Sequence, residues 1–146
     1  MCPAPRAGRI LQLNAGAAQP GLAGATIRAD TGCQITSVAG DADGGMLAIE
    51  ACGTAPEFLD GPARLLVMAG GSHQARRFTL GQCTDGNELA TDQAATSTLV
   101  SAYLYRNPPG HPGPATRLWE YHDGTLRQVT SIPGDTSGAS MMAWLS

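Results

Sequence analysis

Three side chains capable of acid–base chemistry lie around one Asp-Gly pair near the C-terminus. Glu120 and His122 precede Asp123-Gly124, and Arg127 follows it. With this pair as a two-residue hairpin turn, the predicted cross-strand pairs are His122 with Thr125, Tyr121 with Leu126, Glu120 with Arg127, Trp119 with Gln128 and Leu118 with Val129. Side-chain alternation then puts Glu120, His122 and Arg127 on one face, with strand neighbours about 7 Å apart. A carboxylate, an imidazole and a guanidinium at that range are suited to phosphodiester cleavage. The alternative is an exposed face with one cross-strand ion pair between Glu120 and Arg127. It is favoured because no second acid or base accompanies the set.

Aromatic side chains concentrate around the same hairpin and in the run that precedes it. Four of the seven in the chain are found here: Tyr103, Tyr105, Trp119 and Tyr121. Alternation gives Tyr103 and Tyr105 one face of their strand, and Trp119 and Tyr121 one face of theirs. Such rows can form a stacking platform for the sugar rings of a glycan. Aromatic residues on strands belong more often to the core, so the core is the first expectation and the glycan platform is the alternative.

The loop RNPPGHPGPA separates these aromatic runs and contains four prolines. Proline restricts the free chain, so ordering this loop against a partner costs less entropy. We therefore expect a protein-contact loop here, with Arg106, Asn107 and His111 as its contact residues.

The sequence contains only partial matches to motifs for metal binding and for a catalytic nucleophile. Asp41-Ala42-Asp43-Gly44 resembles the start of a calcium loop, but Glu50 falls two residues short of the required final ligand. A solvated hairpin turn is the favoured interpretation. Gly71-Ser72-His73 lacks the second glycine of a nucleophile elbow. The histidines His73, His111 and His122 fall in different loops or turn edges, so no metal site and no cofactor are predicted.

The four cysteines leave the redox state open. They are Cys2, Cys33, Cys52 and Cys83, without a CxxC pair, so structural zinc and thioredoxin-type chemistry lack their usual spacing. Two disulfides, in any of three pairings, and free thiols are both compatible with the sequence. The opening MCPAPRAGRIL shows no apolar signal-peptide core. The expectation is either a cytosolic chain, as in a virion, or a secreted mature form with an added Met.

Composition excludes several classes of function. All nine basic residues are arginine, which excludes lysine Schiff-base chemistry and a P-loop lysine. The net charge is −3. Without a basic stripe, nucleic-acid binding through phosphate neutralisation is not expected. No apolar run reaches the roughly 18–20 residues of a membrane-spanning helix.

Short apolar or alternating runs separated by Gly-, Pro- and Asp-rich turns predict β-structure throughout. Turn signals recur about every 8–12 residues, which is typical of a sandwich or barrel. RLLVMA, apolar on both faces, is predicted to be a central strand, and TDGNELATDQAA a loop or single helical turn. The prediction is one all-β domain over residues 1–146, a mostly antiparallel β-sandwich or barrel. Residues 1–24 are predicted to form an N-terminal arm or loop with one strand from Arg9 to Leu13, and MMAWLS is predicted to dock on the core.

Three segments also repeat a pattern of strand, turn, strand and polar loop. They begin at CQITSVAG, LLVMAGG and LVSAYLY, and together they resemble the ricin-type β-trefoil lectins. That resemblance implies a β-trefoil fold and a secreted carbohydrate-binding module. The chain departs from the family pattern because it has no Q-x-W ending, its cysteine spacing is shorter, and its third segment has no cysteine.

These observations favour a non-catalytic structural or binding subunit of a larger assembly, such as a virion, tail or surface layer. The arm and the apolar C-terminus are natural contacts for protein partners or for self-association. The alternative from another class is the lectin-like module, and a small hydrolase comes third.

Overall fold

The computed structural model describes residues 9–12, 26–30, 33–52, 61–72, 74–82, 84–104 and 115–133. They form ten strands: β1 (Arg9–Gln12), β2 (Thr26–Asp30), β3 (Gln34–Gly40), β4 (Met46–Ala51), β5 (Pro62–Met68), β6 (Arg76–Gln82), β7 (Thr84–Thr91), β8 (Ser97–Leu104), β9 (Ala115–His122) and β10 (Thr125–Pro133). None of these segments is helical, and no candidate membrane-spanning helix is found among them. The all-β prediction is confirmed for this part of the chain. The predictions for MMAWLS and for the side chains of Cys2, His73, Cys83, Tyr105, Arg106, Asn107 and His111 lie outside the described residues.

The strands are arranged in two four-stranded sheets and one separate pair. The first sheet has the order β3-β4-β5-β6, the second has the order β10-β9-β8-β7, and β1 pairs with β2. All described pairings are antiparallel. β7 lies against β3, β4 and β5 of the first sheet. No hydrogen-bonded ladder joins the two four-stranded sheets in the described part of the chain. The arrangement is therefore that of a β-sandwich, with neither the closed barrel nor the β-trefoil formed by these strands.

The core lies between the facing surfaces of the two sheets. It joins Leu47, Ile49, Ala63, Leu65, Val67 and Leu80 of the first sheet to Val100, Ala102 and Trp119 of the second. A second buried cluster, made of Met46, Ala48, Leu66 and Met68, lies on the opposite face of the first sheet. Strand β4 is buried at every position, and β5 beside it is nearly so. The prediction that RLLVMA is a central strand, apolar on both faces, is confirmed.

The β9–β10 hairpin follows the predicted register over its first four pairs. Thr125 pairs with His122, Leu126 with Tyr121, Arg127 with Glu120 and Gln128 with Trp119. Asp123 and Gly124 both have positive φ, 47° and 73°, as a type I′ turn requires.

The predicted pairing of Leu118 with Val129 is wrong. A β-bulge between Gln128 and Thr130 makes Leu118 pair with Thr130 and leaves Val129 52% exposed. The extra residue of a bulge shifts every later pair by one position, and nothing in the local residue types indicates it.

The prediction of a loop or helical turn from Thr84 is also wrong, because Thr84–Thr91 forms β7 at the edge of the second sheet. The segment is polar, and Gly86 coincides with a register shift. It is nonetheless held in a strand by its ladder with β8, in which Leu89 pairs with the buried Val100. Tertiary pairing overrides the weak strand propensity of Asp, Gly and Asn.

Candidate functional site

Four turns meet at one end of the sandwich and border a cleft of about 640 Å³. They are residues 41–45 after β3, 69–72 with 74–75 after β5, 92–96 after β7, and 123–124 after β9. Adjacent antiparallel strands place every second connection at the same end of a sheet. We call this feature the turn-end cleft. Its lining includes Asp41, Asp43, Ser72, Arg76, Thr96, Tyr121, His122 and Asp123.

The turn after β3 is held rigidly by its own backbone and by a turn of the second sheet. The Asp41 amide donates to the Gly45 carbonyl at 3.1 Å, and the Gly44 amide donates to the Asp41 carbonyl at 3.2 Å. The Ala42 amide donates to the Ala95 carbonyl at 3.1 Å, which joins the two sheets at the cleft. A Cβ on Gly70 would collide with the Asp43 carbonyl, so this turn also packs closely against the turn after β5. The favoured interpretation of Asp41 to Gly44 as a hairpin turn agrees with this geometry.

The turn after β7 is organised by Asp92. Its carboxylate accepts hydrogen bonds from the Thr96 amide at 2.7 Å, the Ser97 amide at 3.1 Å and the Thr96 hydroxyl at 2.9 Å. The Ser97 amide in particular holds the pKa of Asp92 below its usual value. Asp92 therefore acts as an anionic anchor of the turn.

Tyr121 of the second sheet lines the turn-end cleft and packs against Phe78 of the first sheet, which is outside the lining. The rings of Phe78 and Tyr121 meet edge to face, with centroids 5.9 Å apart, and the Arg76 guanidinium lies 5.1 Å from the Phe78 centroid. Burial raises the pKa of Tyr121 further above neutral pH, and its protonated hydroxyl can donate as well as accept.

Charged groups around the turn-end cleft are mainly acidic. Asp41, Asp43 and Asp123 supply carboxylates, and Arg76 supplies a guanidinium. Asp41 and Asp43 belong to no group of three potential metal ligands among the residues that the structure describes. The cleft thus offers several acceptors, a cationic donor and the Tyr121 ring.

The structure brings Glu120, His122 and Arg127 together as a hydrogen-bonded network. Arg127 Nη2 and Ser97 Oγ each donate to a different Glu120 oxygen, both at 2.9 Å. Arg127 first, and Ser97 second, lower the pKa of Glu120. His122 Nδ1 lies 3.1 Å from the Thr96 carbonyl oxygen, which only accepts, so Nδ1 carries the hydrogen. Because both Glu120 oxygens accept hydrogen bonds and its lowered pKa favours the anion, Glu120 is placed to fix the turn and is not a proton donor near neutral pH.

The predicted aromatic residues occupy three different environments. Trp119 is 7% exposed within the inter-sheet core, and Tyr103 is 5% exposed. Tyr121 is partly buried and borders the turn-end cleft. A stacking role remains a prediction, and among the three described rings Tyr121 is the one placed for it.

The residue types along the chain do not by themselves indicate that the cleft residues meet. Asp41, Asp43 and Arg76 lie far from Asp123 in sequence, and they meet because their turns share one end of the sandwich. The signal that links them is the alternation of turns between the two ends of an antiparallel sheet, which puts every second turn at the same end. That signal also requires Thr84–Thr91 to be counted as a strand, which its polar residues do not indicate.

Two of the four cysteines form a disulfide, which decides between the alternatives for this pair. Cys33 and Cys52 are bonded, with Cα atoms 4.5 Å apart. They extend the β3–β4 ladder by one position beyond the pair Gln34 and Ala51. The bond therefore closes the end of this hairpin that lies opposite its turn.

Comparison with protein-family models, with curated proteins and with solved structures finds no match to this chain.

Proposed function

We propose that this chain is a non-catalytic binding domain that takes a polar ligand, of the glycan class, in the turn-end cleft. The observation that carries the proposal is the convergence of four turns around one cleft with carboxylates, a guanidinium and an aromatic ring. Its volume of about 640 Å³ falls in the range of small-molecule sites, roughly 300–1,000 Å³.

The chemistry of the cleft is matched to hydroxyl groups that both donate and accept. Asp41, Asp43 and Asp123 can accept from ligand hydroxyls, and Arg76 can donate to them. The ring of Tyr121 supplies an apolar surface for the C–H face of a sugar, with a polar tip for hydrogen bonding. This combination distinguishes a glycan from an apolar ligand, which would leave the carboxylates desolvated without partners.

Rigid turns support a binding role because they reduce the entropy lost when a ligand is held. The inter-sheet bond from Ala42 to Ala95 and the Asp92 network fix the two sides of the cleft before any ligand arrives.

Retention on immobilised glycans, followed by a glycan array, tests the proposal. We expect the wild-type chain to be retained by at least one glycan class, and Asp43→Asn and Arg76→Gln to lose that retention. Arg117→Gln is the matched control, because Arg117 is an arginine outside the cleft lining, in the half of β9 away from its turn, and it should bind as the wild type does. Equal retention of all three variants would contradict the placement of the site, and retention by no glycan would contradict the ligand class.

A second candidate is the assembly subunit, and the outer edge of β10 favours it. Residues 127–132 are all exposed, with Val129 at 52% and Ile132 at 44%, and β10 is an edge strand of the second sheet. An edge strand can pair with an added strand from a partner. Such an edge is a natural contact for self-association or for a protein partner in a virion, tail or surface layer.

Light scattering over a range of protein concentrations tests this second candidate. We expect oligomers that dissociate when Ile132→Glu adds a charge to the edge, while Thr125→Glu, at the turn end of the same strand, keeps them. A wild-type chain that stays monomeric at every concentration and captures no partner strand would contradict the assembly role.

A further inference from the structure

Two cysteines and a buried glutamate converge on the face of the first sheet that points away from the inter-sheet core. Glu50 and Cys52 are two residues apart at the end of β4, so they share a face. Cys33 lies across from Cys52 and is bonded to it. The two sulfurs and a Glu50 carboxylate oxygen all lie within 4.8 Å of one another.

Glu50 is an unusual group to find on this face. It is 1% exposed, and its neighbours on that face include the buried apolar cluster of Ala48 and Leu66. Arg77 Nε donates to Oε1 at 2.9 Å, and Arg64 Nη1 lies 3.9 Å from the same oxygen. Oε2 is buried and has no hydrogen-bond partner among the residues that the structure describes. A buried carboxylate oxygen without a partner is costly, so a ligand for it is the natural explanation.

The geometry points to a divalent metal site, for Zn²⁺, that opens when the Cys33–Cys52 disulfide is reduced. The ligands are the two thiolates and Glu50 Oε2, with water at the fourth position. Donor atoms around tetrahedral zinc lie about 3.5 Å apart, given metal–ligand bonds of about 2.0–2.3 Å. The carboxylate oxygen and the two sulfurs lie within 4.8 Å of one another, and breaking the sulfur–sulfur bond lets the sulfurs move apart to that spacing. Thiolate ligands favour zinc over calcium or magnesium.

Arg77 completes this arrangement as a positioning residue. Its bond to Oε1 fixes the carboxylate and leaves Oε2 as the coordinating atom, as outer hydrogen bonds do for metal ligands in general. Two thiolates and one carboxylate around Zn²⁺ have a net charge of −1. The guanidiniums of Arg64 and Arg77, 37% and 42% exposed, compensate that charge.

The redox step balances with a dithiol as reductant. The dithiol gives two electrons and two protons to the Cys33–Cys52 disulfide and becomes a cyclic disulfide, which leaves two protein thiols. Zinc then displaces the two thiol protons to solvent when it binds. In the oxidised chain the sulfurs are bonded to each other, so the site is closed.

The test uses the full chain with Cys2→Ser and Cys83→Ser, so that no other thiol binds the metal. The chain is reduced with dithiothreitol, desalted without oxygen, equilibrated with Zn²⁺ and desalted again, and its zinc content is measured. We expect about one zinc per reduced chain and background zinc in the oxidised chain. Replacing zinc by Co²⁺ should give the thiolate-to-cobalt absorption band in the reduced chain alone.

Two variants and one melting experiment separate the site from unspecific thiol binding. Glu50→Gln keeps the shape of the side chain and should weaken zinc binding at least about tenfold. The control Glu120→Gln removes an arginine-paired carboxylate of the second sheet and should leave zinc affinity unchanged. Zinc should also raise the Tm of the reduced chain, because the site exists in the folded state. Equal zinc content in both redox states, undiminished affinity in Glu50→Gln, or bound zinc without a rise in Tm would each overturn the proposal.

Discussion

Glu120 shows how the environment of a single residue decides its chemical role. The sequence places it beside His122 and opposite Arg127, a combination that fits either an acid–base set or an ion pair. In the structure its two oxygens accept from Ser97 and Arg127, and these bonds lower its pKa. A carboxylate held in this way fixes the end of the hairpin near the turn-end cleft.

The first prediction at this scale concerns the pKa of Glu120. Arg127 is the largest cause of the lowering, so Arg127→Gln should raise the pKa of Glu120 toward its usual value, and Ser97→Ala should raise it less. Titration of the side-chain carboxyl carbon by NMR measures both. An unchanged pKa in Arg127→Gln would contradict the assignment.

The lowered pKa also fixes the sign of a pH effect on stability. Because the pKa of Glu120 is lower in the folded state, its contribution is fully present above the unfolded value of 4.5. That contribution is lost as the pH falls through the folded value. Urea unfolding at a series of pH values should therefore show a shallower loss below about pH 4.5 in Glu120→Gln than in the wild type. An equal loss in both proteins would contradict the linkage.

The third prediction at the residue scale concerns Trp119. Its side chain is 7% exposed and packs in the inter-sheet core, so Trp119→Ala should lower the free energy of unfolding by about 3–5 kcal/mol. Val129→Ala, on the exposed edge of the same hairpin, should change it by less than about 0.5 kcal/mol. A Trp119→Ala chain that melts like the wild type and has lost glycan binding would instead support the aromatic platform.

At the scale of elements, the β9–β10 hairpin depends on its two-residue turn. Gly124 has φ of 73°, a conformation that costs an L-residue roughly 1–2 kcal/mol. Gly124→Val should therefore lower the free energy of unfolding by at least that amount, since valine is also β-branched. Thr125→Val places the same side chain one residue later, on an extended strand, and serves as the control. Thermal melting measures the effect, and a Gly124→Val chain whose Tm lies within a degree of the wild-type Tm would contradict the type I′ turn.

The disulfide gives a second prediction for an element. It closes the β3–β4 hairpin across a sequence separation of 19 residues, and a loop of this size corresponds to about 3 kcal/mol. Reduction in metal-free buffer should lower the free energy of unfolding by about that amount, measured in urea with and without dithiothreitol. Cys33→Ser should reproduce the effect, and an unchanged midpoint would contradict a disulfide at this position.

The elements also show which features the sequence alone could predict. Asp123-Gly124 between alternating runs indicates a hairpin and its register because turn type and strand pairing depend on nearby residues. The bulge after Gln128 and the strand status of Thr84–Thr91 depend on neighbours in the second sheet. Local residue types do not encode those contacts, so the predictions for the residues after the bulge and for the polar edge strand are wrong.

At the scale of the whole molecule, the turn-end cleft exists only because two sheets stack with their turns at a common end. An all-β sandwich could be predicted from the spacing of turns, and β4 and β5 could be predicted as buried strands from their apolar runs. The meeting of Asp43, Arg76 and Asp123 could not, because it depends on how the sheets pack face to face. Likewise, the approach of Glu50 to Cys33 depends on the register of β3 against β4.

The most direct test of the central claim is chemical-shift mapping. The ¹⁵N-labelled chain is titrated with a glycan that retains it, and the amide shifts are followed residue by residue. The binding role predicts saturable shifts in the four turns around Asp41, Ala69, Thr96 and Gly124, and no such shifts in Asp43→Asn. Shifts confined to the edge strand β10, or an absence of saturable shifts with every glycan tested, would contradict a ligand site in the turn-end cleft.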